Sequence, residues 1–477
     1  MDRVPEPLRY EQLAADLSAL IAQGLINVGD RLPSVRRLAA DRRLSISTVV
    51  QALRQLEERG LIEARPQSGF FVRKPPPALD QPETRAPPIS PTPVDISNRL
   101  VRVLQAGLQR EMAPLAAALP SDELLPIAAL QRLYGTVARR HPRLLTASSH
   151  GHPDEPALLR QLVRRSLAWG GPLAADEIIV TNGCTEALNL CLRAVTRPGD
   201  TVAVESPAYY LMLQLLETLG LKALEIPTDP RTGMSVEALE LATRQGGIAA
   251  CLLVGNGSNP LGCVMSDEKK RRLAALTAER GLPLIEDDIY GDLHLGDRRP
   301  WPVKAFDKAG NVMLCASFSK SLSPALRVGF VAAGRYRSTV ALHKTISSGG
   351  TNPLTQLVLA EYLESGAFER HLRLLRRNYR QQVEAMQHAI ARYFPAGTRV
   401  SQPQAGYVLW VELPDGINCS SCYEQALAIG VPYVPGELFS PSRMYANCLR
   451  INCGHPFTPA IDDAVRRLGT IFAAARG

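Results

Sequence analysis

The sequence predicts a multidomain protein in which a small α+β domain precedes a large α/β body with a smaller α+β lobe. The chain has 477 residues, more than one ordinary domain contains. Eight prolines lie between positions 75 and 93, where the composition changes abruptly. After residue 99, apolar runs typical of strands alternate with amphipathic helical stretches, which indicates α/β architecture.

The composition excludes several classes of protein. The chain is 45% hydrophobic and 21% charged, a balance typical of globular proteins rather than disordered ones. It has no apolar run of about eighteen residues, so no transmembrane helix is expected. The first residues, MDRVPEPLRYEQ, lack the apolar segment of a secretory signal. We therefore expect a cytoplasmic protein with no membrane partner.

The nine cysteines indicate free thiols in a reducing compartment, because their number is odd and they are scattered along the chain. Cys419 and Cys422 form a lone C-x-x-C, and a zinc site that borrows Cys448 and Cys453 is the alternative. Inert thiols are favoured and no metal site is predicted. The net charge of +8 is compatible with nucleic-acid binding but does not establish it.

The N-terminal residues predict three helices followed by a β-hairpin. Leu13, Leu17, Leu20 and Ile21 have helical spacing, and Gly24 ends that helix. Ser34 is placed to cap a short second helix that runs through Asp41.

Ser45 is placed to cap a third helix, which ends at Gly60. Its predicted apolar face consists of Ile46, Val49, Leu53 and Leu56. LIEAR and FFVR follow as strands joined by a turn with Gly69. Three helices and a hairpin in this order predict a winged helix-turn-helix, whose third helix presents its N-terminal residues to base edges.

This stretch resembles the GntR-type DNA-binding domain, most specifically in GDRLPSVRRLA. The resemblance implies that double-stranded DNA is a partner and that Arg36 contacts it. It also implies that the recognition helix opens with Ser45, Ser47 and Thr48, and that Gly69 lies at the tip of the wing.

Two positions of the recognition helix depart from the family pattern. Ile46 stands where the family often has arginine, and Val50 stands where a basic residue is common. Base recognition is therefore expected to be weaker or to shift to Gln51 and Arg54. A solvated basic face is the alternative role for Arg36 and for three further arginines, Arg37, Arg42 and Arg43.

The prolines define a linker. Proline lacks the amide donor and restricts its neighbours, so we expect neither helix nor sheet in this stretch but an extended, semi-rigid spacer. A long surface loop within one domain is the alternative. The predicted divisions are residues 1–74, 75–98 and 99–477.

Chemistry-bearing residues follow the predicted strands of the body. The clearest strands are EIIVT, DTVAVE, AACLLVG, LPLIEDD and NVMLCAS. Lys320 follows the last of these, near a strand's carboxyl end, where α/β sheets place ligands and where a lysine can form a Schiff base. Asp287 and Tyr290 follow LIE, Tyr209 follows VESPA, and Asn259 lies in a Gly/Pro turn. SQPQAGYVLWVELP and CLRINC predict the smaller lobe.

Taken in this order, the motifs resemble fold-type I pyridoxal-5′-phosphate (PLP) enzymes of the class I aminotransferase group, over residues 110–470. With the N-terminal domain, the whole chain resembles the MocR subfamily of GntR regulators. The resemblance implies that Lys320 binds PLP covalently and that Asp287 pairs with the pyridine nitrogen. Lys320, Asp287 and Tyr290 are the expected catalytic residues. Arg450 is expected to bind a substrate carboxylate, with an ordinary surface arginine as the alternative.

The remaining implied cofactor contacts fall into two groups. Tyr290 and Asn259 hydrogen-bond O3′ of the ring, on which Tyr209 stacks. The phosphate is bound by Gly183, Cys184, Thr185, Ser317 and Arg327. The sequence departs from the family at Gly255, where proline is common, and at His150 and Glu155, where tyrosine and glycine are usual.

Three functions follow from the resemblance. The favoured one is a DNA-binding transcription regulator, expected to be a homodimer, that senses PLP or an amino compound. The second is an aminotransferase acting on an amino acid and a 2-oxo acid. The third is a sensor of PLP alone.

Overall fold

The computed structural model describes residues 8–65, 67–73, 77, 79–107, 109, 111–148 and 153–476. It confirms the winged helix-turn-helix at the N-terminus. The elements are α1 (Arg9–Ala22), α2 (Val35–Arg42), α3 (Ile46–Glu58) and the antiparallel hairpin of β1 (Ile62–Arg65) and β2 (Gly69–Val72). Pro66, in the predicted turn of the hairpin, lies outside the described residues.

Two serines begin the helices of this domain. Ser34 Oγ accepts a hydrogen bond from Arg37 N at 3.3 Å, and Ser45 Oγ accepts one from Thr48 N at 3.1 Å. Each side chain satisfies an amide that has no partner inside its helix, so both helices begin where the sequence predicted.

The predicted apolar face of α3 is wrong at one residue. Val49, Leu53 and Leu56 are fully buried, but Ile46 is 55% exposed. Ile46 is the first residue of the helix, and packing against the domain core begins one turn later, at Val49. Ile46 therefore remains available to solvent or to a ligand of this domain.

The linker is attached to the body along its described part. Arg85 Nη2 donates to Glu412 Oε1 at 2.7 Å and its guanidinium lies over the ring of Tyr445, 5.2 Å from the ring centroid. A two-residue strand, β3 (Thr92–Pro93), pairs with the edge of the large sheet. The expectation of no sheet in this stretch is thus wrong for these two residues, because an edge strand tolerates a proline that lacks a donor.

The elements of the body follow the linker. The first of them, α4, begins at Ser97, two residues before the predicted start of the body. Up to the middle of the large sheet they are α4 (Ser97–Gly107), α5 (Ile127–Arg140), α6 (Pro156–Ser166), β4 (Ile178–Thr181), α7 (Cys184–Val195), β5 (Thr201–Ser206), α8 (Tyr210–Thr218), β6 (Lys222–Asp229), β7 (Gly233–Met234), α9 (Val236–Gln245) and β8 (Ile248–Leu253). The rest are α10 (Asp267–Arg280), β9 (Leu284–Asp287), β10 (Val312–Ser317), β11 (Gly329–Ala332), α11 (Arg337–Ser347), α12 (Pro353–Glu364) and α13 (Ala367–Tyr393).

These strands form one nine-stranded sheet, in the order β3-β6-β5-β8-β9-β10-β11-β4, with β7 paired to β6. The neighbours from β6 to β10 are parallel, whereas β11 is antiparallel to both β10 and β4. Every residue of β4, β5, β9 and β10 is buried, as expected for a sheet covered by helices on both faces. The predicted α/β body is confirmed.

The smaller lobe is an antiparallel sheet with two helices. Its elements are β12 (Arg399–Val400), β13 (Val408–Glu412), α14 (Cys419–Ala428), β14 (Val434–Pro435), β15 (Cys448–Asn452) and α15 (Pro459–Ala474). The strand order is β12-β13-β15-β14. The long helix α13 leads from the body to this lobe.

The N-terminal domain contacts the body through ion pairs. Arg59 Nη2 lies 3.1 Å from Asp297 Oδ2, and Arg73 Nη2 lies 2.5 Å from Glu384 Oε2 on α13. The second pair is largely buried, with both side chains 15% exposed. The end of the recognition helix therefore touches the same body that carries the predicted cofactor site.

Candidate functional site

A cavity of 210 Å³ lies at the carboxyl ends of β5, β9 and β10. Most of the residues singled out from the sequence line it. They are Cys184, Thr185, Tyr209, Asn259, Asp287, Tyr290, Ser317, Lys320 and Arg327. Gly183 lies beside Arg327 at its rim. The parallel strands bring these residues together, because the carboxyl ends of β5, β9 and β10 meet at one edge of the sheet.

Lys320 extends into this cavity from the turn after β10. Its Nζ donates to the backbone oxygen of Ala118 at 2.6 Å. Burial, reinforced by the charge of Arg450, lowers the pKa of Lys320 to about 8. The amine is thus closer than an exposed lysine to the neutral form that attacks an aldehyde.

Asp287, at the end of β9, is 4% exposed. Its Oδ1 accepts hydrogen bonds from Ile289 N at 3.0 Å and from Cys184 Sγ at 3.3 Å. Burial raises the pKa of Asp287 to about 6. A buried carboxylate of this kind favours a cationic partner, which a protonated pyridine nitrogen supplies.

Tyr290 and Asn259 form the adjoining wall. Both are 3% exposed, and the side chain of Asn259 hydrogen-bonds Tyr290. Burial raises the pKa of Tyr290, so the phenol stays protonated and able to donate. Asn259 Oδ1 has no hydrogen-bond partner among the described residues. Tyr209 precedes α8, is half-buried and lines the cavity.

The N-terminus of α7 forms the anion-binding end of the cavity. Gly183 precedes the helix with φ 87°, and a Cβ there would lie 2.8 Å from Arg327 Nη2. Arg327 Nη2 donates to Asn182 O at 2.8 Å, which holds the guanidinium against the turn. Thr185 is exposed, and Ser317 also lines the cavity. Amides at a helix N-terminus, hydroxyls and a guanidinium are suitable partners for a phosphate.

Arg450 lies on β15, outside the lining of the cavity but near it. It is completely buried, and its Nη2 donates to Ala116 O. Its Nε and Nη1 have no hydrogen-bond partner among the described residues. Arg450 is therefore not a surface arginine. Two unpaired donors on a buried cation are strongly disfavoured unless an anion binds there.

The cavity fits PLP by three features of its own residues. They are the close approach of Gly183 to Arg327, the unpaired oxygen of Asn259, and the presence of the Lys320 amine and the Asp287 carboxylate in the lining of one small cavity. We find no conflict between the donor set and that cofactor.

Three groups at or beside this site were not predicted from the sequence. Ser319 lines the cavity, Ala118 O accepts the hydrogen bond from Lys320, and Glu205 is buried beside the turn of Asn259. Burial raises the pKa of Glu205 to about 8. Ser319 could have been predicted, since it stands next to Lys320 in the same motif. Ala118 contributes a backbone oxygen, which no pattern of side chains reveals.

The family departures have structural counterparts. Gly255 leaves room for the carboxylate of Glu286, whose Oε1 would lie 3.1 Å from a Cβ at that position. Glu155 caps α6 by accepting a hydrogen bond from Ala157 N at 3.2 Å. His150 lies outside the described residues.

The recognition helix presents a polar N-terminus. Ser45 Oγ lies 2.8 Å from Ser47 Oγ and 2.7 Å from Thr48 Oγ1, so the three hydroxyls form one cluster. Gln51 is exposed one turn later, and Gly69 lies in β2 with φ 103°. Their contacts with DNA stay a prediction from the winged-helix arrangement.

The four arginines of α2 and the following turn are not equivalent. Arg37 pairs with Asp41 at 3.7 Å, and Arg42 pairs with Asp16 at 2.9 Å. Arg36 is exposed and forms no ion pair within the described part of the chain. Arg43 is likewise exposed and without an ion pair among the described residues, so Arg36 and Arg43 are the two of the four whose charges are unpaired. Arg43 adopts a left-handed conformation at the end of α2.

The nine cysteines are free and buried. Among residues 8–476 that the structure describes, no group of three His, Cys, Asp or Glu could hold a metal ion. None of the described helices combines the length and apolarity that crossing a bilayer needs.

Known sequence families match both parts of the chain. The family "Aminotransferase class I and II" matches residues 114–468, and "Bacterial regulatory proteins, gntR family" matches residues 9–72. The two matches correspond to the α/β body with its lobe and to the winged helix.

Two regulators match nearly the whole chain, and a solved aminotransferase structure matches most of it. YjiR, an uncharacterized HTH-type transcriptional regulator of Escherichia coli K12, is 39% identical over 97% of this chain and 98% of its own. YdcR, another from the same organism, is 37% identical over 97% of this chain and 98% of its own. The structure of LysN, the α-aminoadipate aminotransferase of Thermus thermophilus complexed with N-(5′-phosphopyridoxyl)-L-leucine, is similar with a TM-score of 0.71. The two sequences are 28% identical, and the match covers 79% of this chain and 94% of LysN.

Proposed function

The chain belongs to the MocR subfamily of GntR-type transcription regulators, which fuse a winged helix to an aminotransferase-like domain, and on that premise we propose that it binds PLP through Lys320 and senses PLP or an amino compound to control transcription. The observation that carries the proposal is the cavity in which Lys320 and Asp287 face one space beside the N-terminus of α7. As a DNA-binding regulator, it is expected to act in the cytoplasm.

Different residues of the cavity are proposed to contact different parts of the cofactor. When bound, PLP supplies an aldehyde that links to an amine and a ring that accepts electrons. Lys320 contributes the amine, and Asp287 holds a proton on the pyridine nitrogen. Tyr290 and Asn259 orient the ring by its hydroxyl, while Arg327 and the amides of α7 bind the phosphate.

Arg450 determines where an amino compound binds. Its two unpaired donors suit a carboxylate, which a guanidinium binds through two parallel hydrogen bonds. A compound held there is oriented by its carboxylate, with its amine directed toward the cavity. The proposed effector is therefore an amino acid or a related amino compound.

Two sets of contacts can carry a signal from the cavity to the N-terminal domain. Asp297 lies ten residues after Asp287, in the chain that follows β9. It pairs with Arg59 at the end of the recognition helix. Arg85 of the linker stacks on Tyr445, whose hydroxyl lies 3.0 Å from Ser206 Oγ at the end of β5. An effector changes DNA affinity only if it favours one arrangement of these contacts over another.

The DNA-binding half of the proposal requires a homodimer. Two winged helices would then contact two half-sites, and Arg36 and the amides of α3 would bind phosphates beside the bases. Association of this kind weakens steeply with salt, because bound phosphates release counterions.

A gel-shift titration with the DNA upstream of the chain's own gene tests this function, with and without PLP. We expect a specific complex that weakens with salt and whose affinity depends on PLP. Arg36→Ala should weaken it, whereas Arg102→Ala, which removes an exposed arginine of α4 paired with Glu424, should not. A complex that is absent, or indifferent to salt, would contradict the proposal.

The second candidate, an aminotransferase, is favoured by one observation. Lys320, Asp287 and Arg450 together supply a proton-transfer group, a partner for the ring nitrogen and a carboxylate site. Turnover of common amino acids with 2-oxoglutarate separates the two functions. Rapid turnover would favour the enzyme, and a DNA response to PLP without any amino compound would favour the sensor of PLP alone.

A further inference from the structure

The thiol of Cys184 points at the carboxylate of Asp287 rather than at solvent. Cys184 Sγ lies 3.3 Å from Asp287 Oδ1, within hydrogen-bond distance for a sulfur donor. Cys184 is 5% exposed and Asp287 is 4% exposed. The two residues are 103 positions apart in the chain, so the contact is made only in the folded body.

We propose that Cys184 is a positioning residue that fixes one oxygen of Asp287 and so directs the other oxygen to the pyridine nitrogen of PLP. The proposal deepens the proposed function and rests on it. Oδ1 receives both the Cys184 thiol and the amide of Ile289. No hydrogen bond to Oδ2 is formed within the part of the chain that the structure describes, and Asp287 lines the cavity.

Two donors on one oxygen restrict the rotation of a carboxylate. With Oδ1 held by a thiol from α7 and an amide from the chain after β9, the plane of the carboxyl group is set from two directions. A ring nitrogen at Oδ2 then meets an acceptor that needs no reorganisation, which favours binding. The backbone amide of Cys184 has a different proposed role, which is to bind the phosphate.

The surroundings keep the thiol protonated and therefore able to donate. Burial and the charge of Asp287 raise the pKa of Cys184 well above its ordinary value. A thiolate, the reactive form of cysteine, is disfavoured there, so a nucleophilic or redox role does not fit. Asp288 also acts against the thiolate.

Several charged groups share this environment. Glu205, Asp288 and Lys320 all act on Asp287 or on its neighbours. Asp288 disfavours the ionised form of Asp287 and Lys320 favours it. The charge of Asp287 in turn helps burial to raise the pKa of Glu205. The thiol adds a neutral donor to this set without adding a charge.

The contact is tested first without the cofactor. The infrared S–H stretching band of Cys184 is isolated as the difference between the unmodified protein and Cys184→Ser. We expect a band shifted by hydrogen bonding to a charged acceptor, and a second shift toward the free-thiol position in Asp287→Asn. The proposal is overturned if the Cys184 band of the unmodified protein is at the free-thiol position, or if Asp287→Asn does not shift it.

The second test uses the PLP-loaded protein. Cys184→Ala should weaken PLP binding about three- to tenfold, as expected for loss of one hydrogen bond to a charged group. It should also move the pH midpoint of the visible PLP band upward, because a less firmly protonated ring withdraws fewer electrons. Cys184→Ser, which restores a donor, should recover much of both effects.

Cys191→Ala is the matched control. Cys191 lies two turns further along α7, is fully buried, and lies 3.6 Å from Cys315 Sγ rather than near Asp287. It should leave the midpoint unchanged. Equal midpoint shifts in Cys184→Ala and Cys191→Ala would overturn the proposal. If no PLP binds at all, the proposed function fails, while the infrared test still decides whether the thiol holds the carboxylate.

Discussion

Arg59, which ends the recognition helix, forms an ion pair with Asp297, ten residues after the carboxylate that faces the cofactor cavity. Nη2 and Oδ2 lie 3.1 Å apart, and Nε lies 3.3 Å from Oδ1. The pairing is bidentate and joins the DNA-binding domain to a segment that begins at Asp287. We propose this pair as a contact through which cofactor binding influences DNA binding.

Removing this pair should weaken communication between the two sites. In Arg59→Ala, we expect the change in DNA affinity on adding PLP to shrink about two- to fivefold, the effect of losing an exposed ion pair. Thermal stability should hardly change, since Asp297 is 61% exposed. Gel-shift titrations with and without PLP measure the effect. Arg102→Ala is the control, and an undiminished response in Arg59→Ala would rule out this contact as a route.

The rate of PLP attachment should rise with pH through the pKa of Lys320, which burial lowers to about 8. Only the neutral amine attacks the aldehyde, so the rate increases as the proton is lost and levels off above that pH. Mixing the cofactor-free protein with PLP across a pH series and following the visible band measures this midpoint. A midpoint near 10.5, the ordinary value for lysine, would show that the amine is not in the buried environment described here.

An alanine at position 183 should weaken PLP binding about tenfold, because Arg327 must move away from the phosphate position. The new Cβ would lie 2.8 Å from Arg327 Nη2. Gly246→Ala provides the control for backbone strain alone, since Gly246 also has a positive φ but a Cβ added there would meet no described atom within 4 Å. Fluorescence titration with PLP distinguishes them, and equal affinities would contradict the proposed phosphate site.

Replacing Asp287 by asparagine should stabilise the cofactor-free protein at neutral pH. The pKa of this carboxyl is raised from 3.8 to about 6, so the folded state binds its proton more tightly than the unfolded state. Stability is therefore lost as pH rises through that interval, by on the order of 3 kcal/mol when complete. Thermal unfolding should show a higher Tm for Asp287→Asn at about pH 8 and little difference at about pH 4. The reverse order would contradict the burial of the charge.

Much of the fold could be predicted because helix caps and apolar runs in the sequence indicate the same elements that the structure contains. Ser34 and Ser45 cap helices at the predicted positions, and the continuous apolar runs became buried strands. The exposure of Ile46 could not be predicted, since its spacing matches the buried face and only the arrangement of neighbouring helices leaves it uncovered. The attachment of Arg85 to Glu412 joins residues 327 positions apart, which no local pattern reveals.

The site was predictable where its residues follow strands. The ends of β5, β9 and β10 meet at one edge, so the positions of Tyr209, Asp287 and Lys320 follow from topology. The hydrogen-bond partners and the burial of side chains at that edge depend on residues distant in the chain. The thiol of Cys184 on Asp287 and the complete burial of Arg450 are of this kind. Neither has a signature in sequence spacing.

Lys320 is proposed to hold PLP in the body of a DNA-binding regulator. The most direct measurement is the absorption spectrum of the purified chain after incubation with PLP and removal of the excess. We predict a band at about 420 nm that is retained by the unmodified protein and lost in Lys320→Ala. A protein that stays colourless, or a band that survives in Lys320→Ala, would contradict the account.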